Sequence, residues 1–368
     1  MNLVFAWLFR VPWVLVLATG FLAMVGALAL FSASEGNWFP WAERQLYRAG
    51  IGTLLLVFIA VIPVRWIYSW SYIILFGAVL ILLALPIIGI GAGATRWIAI
   101  GPFNFQPSEP AKIAIILALA RYYTSQSPEN MQSVIAHILP LICIAVPFGL
   151  VIIQPDLGTS AMLLVGSLGV IFVAGIPKRF IAVLAGLAVL MLPVLWSQLY
   201  DYQKERIFTF LQPQSDTLGA GYQIAQSKIA LGSGGMFGKG FLQGSQSQLN
   251  YLPEKQTDFV FTMIGEEFGF VGNVVILLAY FIILMSILLI AVKCKGRFCR
   301  LSAIGVSIML FLYIFVNVAM VTGILPVVGA PLPLISYGGT AMLTVFIGLG
   351  MVINAAVNSH VSDNELLK

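Results

Sequence analysis

Ten stretches of this chain are apolar for close to the length that a bilayer core about 30 Å thick demands of a helix, roughly 20 residues. Bounded by charge, proline or glycine, they run from Trp13 to Phe31, Leu46 to Ile62, Ser71 to Gly89, Pro110 to Tyr123, Ala136 to Ile153, Leu157 to Ile176, Phe180 to Trp196, Phe261 to Val292, Ser302 to Leu325 and Gly338 to Val357. No water-soluble fold accommodates them: 60% of the residues are hydrophobic, 9% are charged and the mean hydropathy is +1.00. In lipid every backbone polar group needs an internal partner, so the expected fold is an all-α polytopic membrane protein of about ten transmembrane helices. The whole of 1–368 reads as a single membrane domain. The fourth run is short and starts with Glu109 and Lys112, which marks it as a half-span buried among its neighbours.

Charge sets an orientation. With ten spans and the N-terminus inside, the cytoplasmic bases are Arg10, Arg65, Arg121, Lys178, Arg179, Lys293, Lys295, Arg297, Arg300 and Lys368, ten of the nineteen in the chain. Outside stand Arg44, Arg48, Arg96 and Lys112 near short loops, plus five in one long loop, where the positive-inside rule carries little weight. Only Glu129, Asp363 and Glu365 of the fourteen acids fall inside. The net charge of +5 is therefore a topological signal, and nucleic acid is excluded as a partner. Cys143, Cys294 and Cys299 imply no disulfide framework, and His137 and His360 stand too far apart in sequence to suggest a zinc site.

One segment breaks the membrane pattern for long, 197–260, between the seventh and eighth runs. It is rich in Gly, Gln and Ser, is expected on the extracytoplasmic side, and carries Asp201, Glu205, Asp216, Glu254 and Asp258. Gly221 to Leu231 reads as a short interfacial helix that the glycines from Gly232 to Gly244 terminate. Connections of such length are usually functional. Three Gln-Pro pairs precede acids: Gln106-Pro107 before Ser108 and Glu109, Gln154-Pro155 before Asp156, and Gln212-Pro213 before Asp216. The first two suit helix starts, where proline fits the first turn and an acid complements the positive helix end.

Several residues could carry chemistry. Glu109 and Lys112 share a helix face and Asp156 enters another span at similar depth, so the three form either a salt bridge that fixes packing or the wall of a polar substrate cavity. Asp258, at the start of the eighth span, is either an N-cap or a carboxylate placed to take a proton from a sugar hydroxyl. Glu266 and Glu267 lie two turns further on, as cavity wall or rim charges.

Taken in order, Gln106 to Lys112, Gln154 to Thr159, Gly221-Tyr222-Gln223 through Gly240 and Gly244 to Ser247, Leu252-Pro253-Glu254 to Asp258-Phe259, and Pro331 to Gly339 resemble the signature blocks of the SEDS family, the RodA, FtsW and SpoVE proteins. The short termini and the stretch before Leu252 are most similar to the RodA branch. The resemblance implies a peptidoglycan glycosyltransferase that joins lipid II disaccharide-pentapeptide units into β-1,4 glycan, releases undecaprenyl pyrophosphate and serves cell elongation and shape. It implies that Asp258 is the general base for the acceptor's 4-hydroxyl, and that attack opposite an α-linked pyrophosphate inverts the anomeric carbon without a covalent glycosyl-enzyme. A pyrophosphate leaving group needs positive charge, from Arg96, Lys112, Lys228 or Lys239, or from a divalent cation such as Mg or Mn. Because a helix N-terminus lowers a carboxylate's pKa, burial or Glu266 would have to raise that of Asp258. Implied partners are a class B penicillin-binding protein with MreC and MreD; implied localisation is the bacterial inner membrane with both termini cytoplasmic. The competing readings are a lipid II flippase, whose path Glu109, Lys112 and Asp156 would line, an FtsW-like septal polymerase, and a non-catalytic scaffold.

Overall fold

The computed structural model describes residues 10–90, 95–101, 103–127, 129–198, 201–212, 219–249 and 251–367. The Pro213 and Asp216 of the third Gln-Pro motif, and Lys368, lie outside them. Each of the ten apolar runs forms a helix. In chain order they are α1 (Trp13–Ala33), α2 (Ala42–Val61), α3 (Val64–Ile88), α4 (Ser108–Ser125), α5 (Ile138–Ile153), α6 (Leu157–Gly175) and α7 (Lys178–Gln198). The long loop contributes α8 (Asp201–Leu211), α9 (Ala220–Ser233) and the one-turn α10 (Ser245–Gln248). Then come α11 (Val260–Lys293), α12 (Arg297–Val321), α13 (Gly339–Val357) and the short α14 (Asp363–Leu366). A small antiparallel hairpin, β1 (Ile98–Ile100) with β2 (Phe103–Phe105), precedes α4.

Eight of the ten long helices are long and apolar enough to cross a membrane among the described residues, and α4 and α7 are not among them. For α4 the reason is physical. Fourteen of its eighteen residues are buried, including Glu109 and Lys112, so it is an inner post enclosed by α3, α6 and α12 instead of a lipid-facing span. The half-span expectation is met in burial, although the helix itself is full length.

Small residues let the helices approach. On the α2–α13 contact, a Cβ added at Gly350 would lie 2.8 Å from the Leu56 carbonyl oxygen, and one at Gly52 would lie 2.3 Å from the Phe346 ring. Two irregular segments reach into the bundle. The first is the glycine-rich stretch after α9, which seats against a break in α11 at Gly269 (φ 68°, ψ −163°). There Phe270 N–H donates to Gly235 O (2.9 Å) and Val271 N–H to Met236 O (3.1 Å), while Lys239 and Gly240 N–H donate to the carbonyls of Glu266 and Glu267 (both 3.0 Å). The break is thus bonded by the loop, as backbone in a bilayer must be. A Cβ at Gly234 or Gly238 would sit 2.0 Å from the carbonyl oxygen of Gly265 or Glu267, which is why these positions are glycine. The second is the 326–338 segment between α12 and α13. Its Leu332, Leu334 and Ile335 are buried, and Gln45 Nε2 donates to the carbonyls of Leu334, Ile335 and Ser336 at 3.2 to 3.3 Å. Tyr280 O–H donates to Pro333 O.

Candidate active site

Asp258 stands on a turn, two residues before α11 begins. The N–H groups of Asp258 and Phe259 both donate to Glu254 O, at 3.2 and 3.3 Å. Phe259 is the N-cap of α11 and makes no side-chain cap bond, so the Asp258 carboxylate is not used as the helix cap. Distant elements hold the turn. Asn317 Nδ2, from α12, donates to Asp258 O (3.0 Å) and to Ala330 O (2.7 Å), and Tyr337 N–H donates to Gln256 O (2.9 Å). Gly329, at φ +73°, lies against the carboxylate: a Cβ there would be 3.6 Å from Asp258 Oδ2.

The side chain is half-buried, and its carboxyl is pushed up to about 6. Burial is the main cause, the negative charge of Glu254 adds to it, and the Arg206 guanidinium partly opposes it. Glu254, four residues upstream on the same turn, supplies the like charge that the sequence had suggested for Glu266; Glu266 does not contribute.

Val327 and Val328 line a narrow cleft whose walls are mostly apolar, Leu157, Ile207 and Pro326 among them, with Arg96, Asp156, Gln203 and Arg206 as its polar members. Arg206 Nη1 donates to Val327 O at 3.2 Å. Arg96 Nε donates to Gln154 O at 3.1 Å and Nη2 donates to Pro155 O, tying the segment that leads into the hairpin to the second Gln-Pro motif. Gly158 completes the junction, since a Cβ there would be 2.7 Å from Val328 O. Asp156 is a working N-cap: Oδ1 accepts from Thr159 N–H and Oδ2 from Gln106 Nε2, both at 3.2 Å. Gln106 N–H in turn donates to Thr340 Oγ1 at 3.0 Å, so the first two Gln-Pro blocks meet beside the cleft and are tied to the start of α13, one residue past the Pro331 to Gly339 block.

The remaining predicted residues are spread more widely. Lys112 Nζ donates to Glu109 Oε1 (2.8 Å) and to Tyr313 O–H, which itself donates to Glu109 Oε2, and all three side chains are buried. This is a closed ionic triad between α4 and α12, and Lys112 is committed to it. Ser108 is buried at the first turn of α4. Glu266 is fully buried, and its Oε1 accepts from Lys239 Nζ (2.7 Å), Ser245 Oγ (3.1 Å) and Gln246 N–H (2.9 Å). Glu266 and Lys239 therefore fasten the glycine-rich loop to α11, and Glu267 accepts from Ser32 Oγ of α1. Lys228 is exposed on α9 and packs across Gly323. Of the predicted residues Arg96 and Asp156 line the cleft, while Asp258 does not line it and is linked to it through Gly329 and the charge of Arg206. Arg206 was not singled out by the sequence; in the run Asp201 to Arg206 nothing distinguishes it from Lys204 before folding points it at Val327. Among the described residues no three His, Cys, Asp or Glu side chains converge as a metal site.

Comparison with known proteins shows the family. Residues 6–361 match the family model described as cell cycle protein, the model of FtsW, RodA and SpoVE. The chain is 42% identical over 342 residues to the peptidoglycan glycosyltransferase MrdB of Escherichia coli, covering 92% of this chain and 91% of that one. It superposes on a chain of a peptidoglycan synthase complex that coordinates polymerization and crosslinking with a TM-score of 0.82, at 30% identity, over 95% of this chain and 98% of that one. For the rod shape determining protein RodA of Thermus thermophilus the TM-score is 0.71 at 28% identity, over the same shares. With nearly the whole length matched in sequence and in fold, the chain belongs to the FtsW, RodA and SpoVE family.

Proposed function

We propose that this chain, a peptidoglycan glycosyltransferase, polymerises lipid II with Asp258 as general base and the Arg96–Arg206 cleft as the seat of the leaving pyrophosphate. The observation that carries the reading is the position of Asp258: a half-buried carboxylate, free of capping duty, pushed up to about 6, next to a cleft with two arginines. A base of that pKa is mostly ionised at neutral pH yet stronger than an ordinary aspartate. It takes the proton of the acceptor's GlcNAc 4-hydroxyl as the oxygen attacks the donor's anomeric carbon. The C–O bond to undecaprenyl pyrophosphate breaks, and both electrons leave on the pyrophosphate oxygen. Guanidinium groups suit that developing charge because each offers several N–H donors in a fixed plane.

Arg206 and Arg96 replace Lys112 in this role, since Lys112 is enclosed with Glu109 and Tyr313. A divalent cation such as Mg²⁺ or Mn²⁺ would supply Lewis acidity to the same leaving group, but among the described residues no three His, Cys, Asp or Glu side chains converge to hold one, and the step is derived without it. The flippase path is disfavoured by the same triad: Glu109 and Lys112 are bonded to each other, and Asp156 caps a helix. Asp258 faces the exterior and both termini the cytoplasm, on the charge balance of the loops. Likeness to a chain of a synthase complex supports a penicillin-binding transpeptidase as partner, and likeness to RodA supports a role in elongation.

The test is polymerisation of fluorescent lipid II by the purified protein with its transpeptidase partner, comparing wild type with Asp258→Asn and Asp258→Ala at equal complex yield. Glycan ladders are expected for wild type alone. Ladders of normal intensity in both variants would remove Asp258 from the mechanism.

A further inference from the structure

The end of the bundle opposite Asp258 holds a second cleft, of about 290 Å³. It is lined by the last turn of α6, a helix of 19 residues that Asp156 caps at its other end, and so lies about 25 Å from that cap. Its walls include Tyr123, Met131, Val173 and Leu301, and the guanidinium groups of Arg297 and Arg300 on the first turn of α12.

The cleft is built, not incidental. Tyr123 is buried, its hydroxyl bonded to His137 Nδ1 at 2.9 Å, and His137 Nε2 bonds Met131 O at 3.1 Å. Arg297 Nη1 donates to Gln126 O at 3.3 Å, and Arg300 Nη2 donates to Cys294 O at 2.9 Å. These bonds fix the two side chains while leaving each with further N–H donors. Neither arginine forms an ion pair with a described residue. The adjacent acid, Asp363, accepts from the backbone N–H of Arg297 at 2.7 Å at the start of α12. One side of the cleft is apolar and continues onto the outward-facing Phe172 and Val173 of α6.

Two fixed, unneutralised guanidinium groups beside an apolar wall at a helix boundary are complementary to a phosphate oxyanion, and above all to one that is attached to acyl chains. We propose that Arg297 and Arg300 form a binding site for one phosphate group, either the headgroup of an anionic phospholipid or free phosphate, at the end of the protein away from the active site. The two sources share the chemistry and differ in what must accompany it.

The full-length protein in detergent would be mixed with phosphatidylglycerol or phosphatidylcholine of the same acyl chains and the retained lipid counted by native mass spectrometry, with labelled inorganic phosphate measured in parallel. Wild type should hold one phosphatidylglycerol at least about fivefold more tightly than phosphatidylcholine. Arg300→Gln, an exposed side chain whose loss spares the fold, should weaken it about threefold, and Arg297→Gln with Arg300→Gln about tenfold, or 1.4 kcal/mol. Lys295→Gln, equally exposed and basic but outside the cleft, should bind as wild type does. Inorganic phosphate bound with the same dependence on the two arginines, without lipid selectivity, would support the site and assign it to a soluble ligand. Equal binding of both ligands by wild type and the double variant, or a loss in Lys295→Gln as large as in the double variant, would overturn it.

Discussion

Because the Asp258 carboxyl is pushed up to about 6, polymerisation should have an acid limb with its midpoint near that pH. With a single titration there, the base is about nine-tenths ionised at pH 7 and about one-tenth at pH 5, so kcat/KM should fall about tenfold between them. An ordinary aspartate, near 4, would still be about nine-tenths ionised at pH 5, and the rate would hardly change. Two neighbours then move the limb in opposite directions. Glu254→Gln removes a negative charge that disfavours ionisation, so the midpoint should drop and activity at pH 5 rise relative to pH 7. Arg206→Gln removes a positive charge that favours ionisation, so the midpoint should rise, beyond any loss of leaving-group stabilisation that lowers the whole curve. Initial rates of fluorescent lipid II polymerisation at subsaturating substrate, from pH 5 to 8, read this directly. Size-exclusion profiles at each pH separate titration from unfolding. A limb near pH 4 would refute the argument from burial, and limbs displaced the same way in both variants would refute the electrostatic one.

The packing yields three further expectations. Gly238→Ala forces a Cβ against the Glu267 carbonyl at a residue with φ +80°, and should cost about 2 kcal/mol or more, seen as a lower unfolding temperature and weakened seating of the glycine-rich loop. Lys112→Met strands Glu109 in the interior and should destabilise by about 3–5 kcal/mol, whereas Lys112→Met combined with Glu109→Leu should recover most of the loss; a double variant that is stable but inactive would restore the cavity-wall reading. Asp156→Ala should cost about 1 kcal/mol for the cap alone, measured by thermal unfolding, with further loss from the orphaned Gln106 amide.

What could be read in the sequence depended on whether the signal was local. Hydrophobic run length is local, and each of the ten expected runs became a helix, with boundaries displaced by at most a turn or two where polar residues such as Arg297 to Arg300 extend a helix past its apolar part. The interfacial helix after Gly219 and its glycine stop were legible for the same reason. The use of those glycines was not, because it depends on a break in α11 some thirty residues away that no apolar run reveals. Spacing put Glu109 and Lys112 on one face but could not supply Tyr313, two hundred residues on, whose hydroxyl closes the triad and weighs toward packing over wall. Asp258 was found through its surrounding motif; that its carboxylate is not the helix cap depended on α11 starting at Val260 with Phe259 as the cap residue.

That offset has a chemical consequence. A carboxylate that caps a helix accepts backbone N–H bonds and sits at the positive helix end, both of which lower its pKa and weaken it as a base. A carboxylate one or two turns inside a transmembrane helix is as buried as Glu266 and needs a partner such as Lys239, which occupies the oxygen a base would use. Position 258 avoids both outcomes: it is outside the helix and half-buried, and the bonds that hold its turn, from Asn317 and Tyr337, go to backbone carbonyls and not to the carboxylate. The support is therefore rigid while the reactive oxygens remain available. The same bonds connect the turn to α12 and to the 326–338 segment that forms one wall of the arginine cleft, so the proposed base and the proposed leaving-group seat are positioned by one set of contacts. A change at Asn317 should accordingly misplace both at once, lowering kcat without moving the acid limb set by the charges around Asp258.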